Sequence, residues 1–137
     1  WQKPCGTGRW EALELLNAIA AFLETLPDIP PVFVDYLPDQ PDECVGLFCW
    51  DYIAPSMADG SATRFVQIRV RAKTWSRAMD ACARIASALD SGANEMPLPI
   101  DWPGSVIGRT RRLPVLMDRG PQTVTIYSEV SLWGTTS

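Results

Sequence analysis

Apolar side chains recur at helical spacing near the start of this 137-residue chain. Residues 9–26 (RWEALELLNAIAAFLETL) carry glutamates and an asparagine between the apolar positions, which predicts an amphipathic helix. Thr7 is a candidate cap at its start, and Pro27 prevents the helix from continuing. The predicted apolar stripe consists of Ala12, Leu15, Leu16, Ile19, Phe22, Leu23 and Leu26.

Strand-like alternation follows this helix. Residues 30–37 (PPVFVDYL) predict a short strand, and residues 43–53 (ECVGLFCWDYI) predict a longer one. The longer strand places Val45, Leu47 and Cys49 on one side and Phe48, Trp50 and Tyr52 on the other. The prolines and aspartates of residues 38–43 (PDQPDE) predict a turn between the two strands, and residues 54–62 (APSMADGSA) predict a flexible loop.

The periodicity changes within residues 63–90 (TRFVQIRVRAKTWSRAMDACARIASALD). Alternation up to Ala72 predicts a strand with one apolar face (Val66, Ile68, Val70, Ala72) and one polar or basic face (Phe65, Gln67, Arg69, Arg71). Helical spacing then predicts a second amphipathic helix, capped by Thr74 or Ser76 and ended by Ser91-Gly92. Its apolar stripe consists of Trp75, Ala78, Met79, Cys82, Ile85, Ala86 and Leu89.

The last third of the chain predicts two more strands. Residues 91–104 form a proline-rich connection, 105–115 a weak strand, 116–123 (LMDRGPQT) a turn and 122–133 a long strand with Val124, Ile126, Val130 and Leu132 on its apolar face. The predicted fold class is therefore α+β: two amphipathic helices packed on one face of a mostly antiparallel sheet of about five strands, in the order α-β-β-β-α-β-β. We expect one domain over residues 10–133, with flexible segments at 1–9 and 134–137.

The charge is divided unevenly along the chain. The net charge is −4, but residues 1–60 contain ten acidic and two basic side chains, whereas residues 61–137 contain six acidic and ten basic ones. Such a division is either an accident of packing or what a subunit needs when one side docks on a different side of an identical neighbour.

Catalytic, cofactor and metal sites are not predicted. The chain has no histidine, which excludes a Ser-His-Asp triad, a Cys-His pair and a histidine-ligated metal. The four cysteines (Cys5, Cys44, Cys49 and Cys82) lack metal-binding spacing, and we expect buried free thiols, as in a reducing compartment. Asp39, Asp42 and Glu43 form a candidate divalent-cation cluster, although a solvated turn explains them more simply. Glycine-rich phosphate loops are absent from the sequence, and no apolar run is long enough to span a membrane.

Arginines are the candidate contact residues. Arg69 and Arg71 share one strand face, and Arg109, Arg111, Arg112 and Arg119 lie in the later strand and turn region. Three interpretations remain: the arginines solvate a sheet face, contact passing DNA weakly, or form salt bridges to an acidic neighbour. The acidic net charge argues against a dedicated nucleic-acid binder, which would be basic overall. The acidic first 60 residues favour the neighbouring-subunit interpretation.

The order of elements also carries a resemblance. A leading amphipathic helix, a Pro/Asp turn before an apolar strand (LPDQPDECVGLF), the strand-helix unit VQIRVRAKTWSRAMDACARIASAL, a DRG turn and a long closing strand are similar to the tail-terminator-like and minor capsid proteins of long-tailed bacteriophages. The resemblance implies a virion subunit, assembled in the host cytoplasm, that forms a ring, typically a hexamer. Such a ring caps the tail tube, joins it to the head connector or a neck protein, and lets the genome pass through its bore.

Within that resemblance, we expect Arg69 and Arg71 at a subunit contact or the lumen, and Arg109, Arg111 and Arg112 on a surface facing the connector or the tube. Loops at 53–63 and 91–105 are expected to reach neighbours. Two alternatives stay open. One is another neck component, such as a connector adaptor or stopper, and the other is a small α+β ligand-binding or enzyme domain, with Trp50, Tyr52 and Trp102 lining its pocket.

Overall fold

The computed structural model describes residues 7–53 and 62–134, with side chains at 13–50 and 62–134. The elements are α1 (Thr7–Glu24), β1 (Val32–Val34), β2 (Cys44–Ile53), β3 (Ala62–Ala72), α2 (Trp75–Ala88), β4 (Val106–Arg119) and β5 (Val124–Gly134). The α+β class and the element order are those predicted. The side chains of Thr7 (the predicted cap), Ala12 and Tyr52 lie outside the described residues, as do most of the loop predicted over residues 54–62 and most of the two terminal segments.

The five strands form one sheet in the order β1-β2-β3-β5-β4. The pairs β2–β3, β3–β5 and β5–β4 are antiparallel, and β1 runs parallel to β2. Parallel neighbours need a connection that returns the chain to the opposite end of the sheet. Because β1 has only three residues, residues 35–43 are long enough to make that return.

Both helices pack on the same face of the sheet. Burial alternates strictly along β3 and nearly throughout β5, so their even-numbered side chains lie beneath the helices. Helix α1 contacts β1 and β2, whereas α2 contacts β3, β5 and β4. The shared core includes the fully buried side chains Leu15, Leu16, Ile19, Leu23, Val45, Leu47, Val66, Ile68, Ile85, Leu89, Ile126 and Leu132. Every strand-face prediction for β3 and β5 is confirmed.

Helix α2 begins and ends as its sequence predicts. The Thr74 side chain accepts a hydrogen bond from the Arg77 amide at 3.2 Å, which satisfies one of the free donors of the first turn. The chain leaves the helix at Leu89, and Gly92 adopts a positive φ of 76° shortly after it. Trp75 is the exception in the predicted apolar stripe, because it starts the helix and is 48% exposed.

Strand β4 is longer than predicted. The predicted turn over residues 116–123 is wrong for its first half, because Leu116 pairs with Ile126, Asp118 with Thr125 and Arg119 with Val124. The reversal itself occupies residues 120–123, closed by a 2.9 Å hydrogen bond from the Gly120 amide to the Thr123 carbonyl. Pairing with β5 in a hairpin therefore extends the strand through residues whose own sequence signals a turn.

The proline-rich connection before β4 has no helix or strand of its own, as predicted, but it is pinned to the domain. Leu98 is 7% exposed and its amide donates to the Val106 carbonyl at 2.8 Å. Ile100 and Trp102 pack against the core, so Trp102 contributes to packing. Gly108 permits the close approach of α2 and β4, since a Cβ there would lie 1.9 Å from the Leu89 carbonyl oxygen.

Strand β4 is one edge of the sheet, and its middle is irregular. Its pairing with β5 shifts register after Thr110, after Arg112 and after Leu116. Pro114 lies within this irregular part. Proline has no backbone N–H to donate to a neighbouring strand, which an edge strand tolerates because it has a neighbour on one side only. Three apolar side chains here are exposed: Leu113 at 74%, Leu116 at 48% and Met117 at 43%.

Candidate docking surface

The sheet face opposite the helices, which we call the outer face, is divided into two halves. Residues 35–43 fold back over one half, next to the start of β2. A Cβ at Gly46 would lie 3.0 Å from the Tyr36 carbonyl oxygen and 3.2 Å from a Leu37 methyl group, so only glycine lets the returning chain lie so close. We call this part the covered half and the remainder, toward the end of β2, the open half.

Arg71 holds the returning loop on the covered half. Its Nε donates to the Asp42 carbonyl at 2.9 Å, and one terminal nitrogen donates to the Pro41 carbonyl at 2.9 Å and also to the Pro38 carbonyl. The Gln40–Pro41 peptide bond in this loop is cis. Charged donors to backbone carbonyls are among the stronger hydrogen bonds in proteins. The Arg71 guanidinium is thus engaged within its own chain.

Cys44 lies beneath the same loop, with its Sγ 3.9 Å from the Pro38 carbonyl oxygen. Burial raises the pKa of the Cys44 thiol, and the nearby Arg71 charge opposes that rise only in part. Burial raises the pKa of Cys82, on the buried face of α2, to about 12. Cys44 and Cys82 are buried free thiols, as predicted, whereas Cys49 is half-buried, and Cys5 lies outside the described residues.

The acidic turn residues end up in different contacts. The Glu43 carboxylate accepts from Arg77 at 2.5 Å and from the Lys73 amide at 3.2 Å, linking the turn to the start of α2. Partial burial raises the pKa of Glu43, but these two donors outweigh it and hold the pKa below its ordinary value. Asp39 and Asp42 line a cleft beside Arg71 and the 121–123 turn. Across the described residues, no three cysteine or carboxylate side chains converge as metal ligands would.

The open half carries aromatic rings held by arginines. The Arg69 guanidinium lies 4.2 Å from the centre of the Phe48 ring, and its Nε donates to the Gln67 side chain at 2.5 Å. The Arg111 guanidinium lies 4.9 Å from the Phe65 ring centre. Cation–π contacts at exposed sites contribute about 0.5–1 kcal/mol each. Both arginines are therefore positioned on the surface.

Trp50 completes this group. It is the extra residue of a bulge, since Cys49 pairs with Val66 and Asp51 already pairs with Phe65. Its ring centre lies 5.5 Å from that of Phe65, and the residue is 53% exposed. We call Phe48, Trp50, Phe65, Arg69 and Arg111 the aromatic–arginine patch. Trp133, 44% exposed, lies in the outer row of β5 at the same end.

The other predicted arginines lie at or near the β4 edge and differ in their partners. Arg109 forms an ion pair of 2.6 Å with Glu95 of the proline-rich connection. Arg112 lies 3.8 Å from Glu129 on β5, its register partner. Arg119 is exposed at the end of β4. Of the six predicted residues, the structure brings Arg69 and Arg111 to one patch, and Arg71, Arg109, Arg112 and Arg119 lie outside it.

Two features of this sheet were not predicted from the sequence. Strand alternation correctly places Phe65 on the polar face of β3, but it does not show that Trp50 and Arg111 both contact the Phe65 ring. Those contacts depend on neighbours in other strands, which no local pattern specifies. Arg64 was also overlooked: it lies in the buried row with Val66 and is 2% exposed. Strict alternation backward from Val66 was the available signal for Arg64, since it places this arginine on the core face.

The ligand-binding alternative would need a pocket. A groove of about 430 Å³ between the end of α1 and α2 is lined mainly by apolar side chains near Leu26, Ile29 and Ala88, and it opens broadly to solvent. Trp50 and Trp102, the suggested pocket residues, lie on the outer face and against the core respectively. Among the described residues, no helix is both long enough and apolar enough to cross a membrane.

The chain belongs to the bacteriophage tail terminator protein family, whose family model matches residues 14–97. It is accordingly a structural protein of the phage tail and a component of the virion, associated there with other virion components. No curated protein sequence matches the chain. The matched region contains Arg69 and Arg71, whereas β4 and β5 lie beyond it.

Proposed function

We propose that this protein is a ring-forming tail terminator that caps the tail tube and joins it to the head connector. The observation that carries the proposal is the match of residues 14–97 to the tail terminator family. The matched region includes β1, β2, β3, the whole of α2 and most of α1. The ring is proposed to be a homo-hexamer, assembled in the host cytoplasm, with the genome passing through its bore. Its action is steric, by occupying the tube end, and involves no catalysis.

The arginines fit this function in two groups. Arg69 and Arg111 hold aromatic rings at the surface, which suits a contact between subunits, because aromatic residues and arginine are enriched in interface cores. Arg71 acts indirectly by shaping the loop beside that contact. Arg109, Arg112 and Arg119, at or near the β4 edge, are assigned to the surface that faces the connector or the tube.

The test is the mass of the purified full chain in solution and on tubes. Native mass spectrometry is expected to give six copies, and electron microscopy is expected to show density at one end of tail tubes assembled from the tube protein of the same phage. Tubes grown with the chain present should also stop elongating. A chain that stays monomeric at every concentration and leaves tube growth unchanged would refute the proposal, and a ring bound to connectors but never to tubes would favour an adaptor or stopper.

A further inference from the structure

The aromatic–arginine patch is an exposed part of the outer face. Trp50 is 53% exposed and the neighbouring Trp133 is 44% exposed, on a sheet face that neither of the two described helices covers. Grouped aromatic side chains with fixed arginines have the composition of interface centres, where aromatic residues and arginine contribute most of the binding energy. Within the described part of the chain, neither Arg69 nor Arg111 has a carboxylate partner. The patch therefore suits an occupant that brings negative charge.

A suitable occupant lies on the opposite side of the same molecule. The outer stripe of α1, meaning Glu14, Asn17, Ala21 and Glu24, is exposed and contains two carboxylates and no basic side chain. Within the described residues, Glu14 and Glu24 take part in no ion pair. Ala21, between them, leaves space for a large ring from a partner. The stripe and the patch are therefore complementary in charge.

The spacings also agree. Glu14 and Glu24 are about 15 Å apart along the helix axis, at 1.5 Å per residue. Arg69 and Arg111 lie on β3 and β4, with β5 between them, and are offset along the strands by two to three residues. Their backbones are consequently about 12 Å apart. Long arginine side chains accommodate the difference, so one helix can place a carboxylate near each guanidinium.

One chain cannot make this contact with itself, because α1 and the patch lie on opposite faces of the sheet. We propose that the aromatic–arginine patch of one subunit docks on the outer stripe of α1 of the next subunit. A contact between different surfaces of identical chains is head-to-tail, and such contacts close into rings or continue as filaments. This inference rests on the proposed ring and identifies the two surfaces that would build it.

Charge reversal on each side tests the contact. The double variants R69E/R111E and E14K/E24K are each expected to lose assembly by about tenfold or more in apparent affinity, because like charges then face each other. Assembly of the native chain is expected to weaken as salt is raised, since screening shortens the reach of the attraction to below about 10 Å above 0.1 M. Lys73→Glu is the control for a single reversal: it makes the same change of charge as Arg69→Glu or Arg111→Glu, but at an exposed residue outside the patch, and it should assemble normally.

Mixing the two double variants gives the decisive result. In a one-to-one mixture, each reversed patch meets a reversed helix and each native patch meets a native helix, so assemblies of alternating chains should return. Circular dichroism and thermal unfolding of each variant verify the fold, and the milder pair R69A/R111A should weaken assembly less than reversal does. If the folded reversed variants assemble like the native chain, or if mixing restores nothing, the docking inference is wrong. If the native chain itself never assembles and never binds tubes, the proposed function fails instead.

Discussion

Arg69 and Arg71 are the same residue type on the same strand and the same face, two positions apart, yet they have different roles. Arg71 is enclosed by backbone carbonyls of the loop that returns from β1 to β2. Arg69 lies over the Phe48 ring at the surface. The difference arises because residues 35–43, which return from β1 to β2, lie over Arg71 and not over Arg69. The path of this loop, and not the strand periodicity, therefore decides which arginine is available to a partner.

Removing Arg69 and Arg71 one at a time should destabilise the domain to different extents. Arg71→Ala should lower the free energy of unfolding by about 3 kcal/mol, because three loop carbonyls lose charged donors. Arg69→Ala should cost less, about 1–2 kcal/mol, because one cation–π contact and one side-chain hydrogen bond are lost. Urea unfolding of both variants measures the difference. Equal losses would show that the loop is held by other contacts.

Arg71→Ala should also make the Cys44 thiol more accessible to reagents. In the native chain Cys44 is fully buried, and the Arg71 clamp holds Pro38 above it. Freed of the clamp, the loop should open more often, and labelling of Cys44 by a maleimide should accelerate about tenfold or more in Arg71→Ala. Peptide mass spectrometry locates the label. Cys82, on the buried face of α2, is the internal control and should stay unlabelled in both proteins. Equal Cys44 labelling rates would contradict the clamp.

Gly46→Ala tests the covered half without changing charge. The added methyl group would lie 2.8 Å from the Phe48 ring and 3.0 Å from the Tyr36 carbonyl oxygen, so the loop must move. We expect a loss of about 2 kcal/mol in unfolding free energy, as is usual for overpacking. Gly120→Ala is the control, since its methyl group meets nothing closer than 3.5 Å. A native-like melting temperature for Gly46→Ala would mean that the loop is loosely held.

The smallest expected effect concerns pH. Glu43 has a lowered pKa in the folded chain, so its contribution to stability is present above its ordinary value of 4.5 and is lost as pH falls through the folded-state pKa. Glu43→Gln should therefore lower stability by about 0.5 kcal/mol at pH 7 and by less as the solution becomes acidic. Unfolding curves between pH 3 and 7 measure this. Adding Arg77→Ala should cause little further loss, and an additive loss would argue against the pair.

The sequence predicted the features that depend on periodicity. Alternation along β3 and β5 identified their buried rows, and helical spacing with Thr74 identified α2 and its cap. These features are local, because each residue's burial follows from its place in a repeating backbone. The placement of Arg69 and Arg71 on one polar strand face followed from the same rule.

The features that the sequence did not predict depend on contacts between different elements of the fold. Residues 116–119 have the composition of a turn but belong to β4, because β5 offers them partners. The separation of Arg69 from Arg71 depends on a loop some thirty positions earlier, and the patch joins β2, β3 and β4. No single stretch of sequence contains all the residues that meet in the patch. The sequence therefore predicts six arginines as contact residues, whereas only Arg69 and Arg111 lie in the patch.

The irregular edge strand β4 bears on solubility. An exposed edge with Leu113, Leu116 and Met117 would ordinarily recruit strands from other molecules and seed aggregates. Pro114 lacks a backbone N–H donor, and the three register shifts disturb the regular spacing of the other backbone donors and acceptors along the edge. A second copy of β4 therefore cannot pair with this one along its whole length. A subunit that has to join its copies through defined surfaces gains from such an edge, because its copies are kept from pairing through β4.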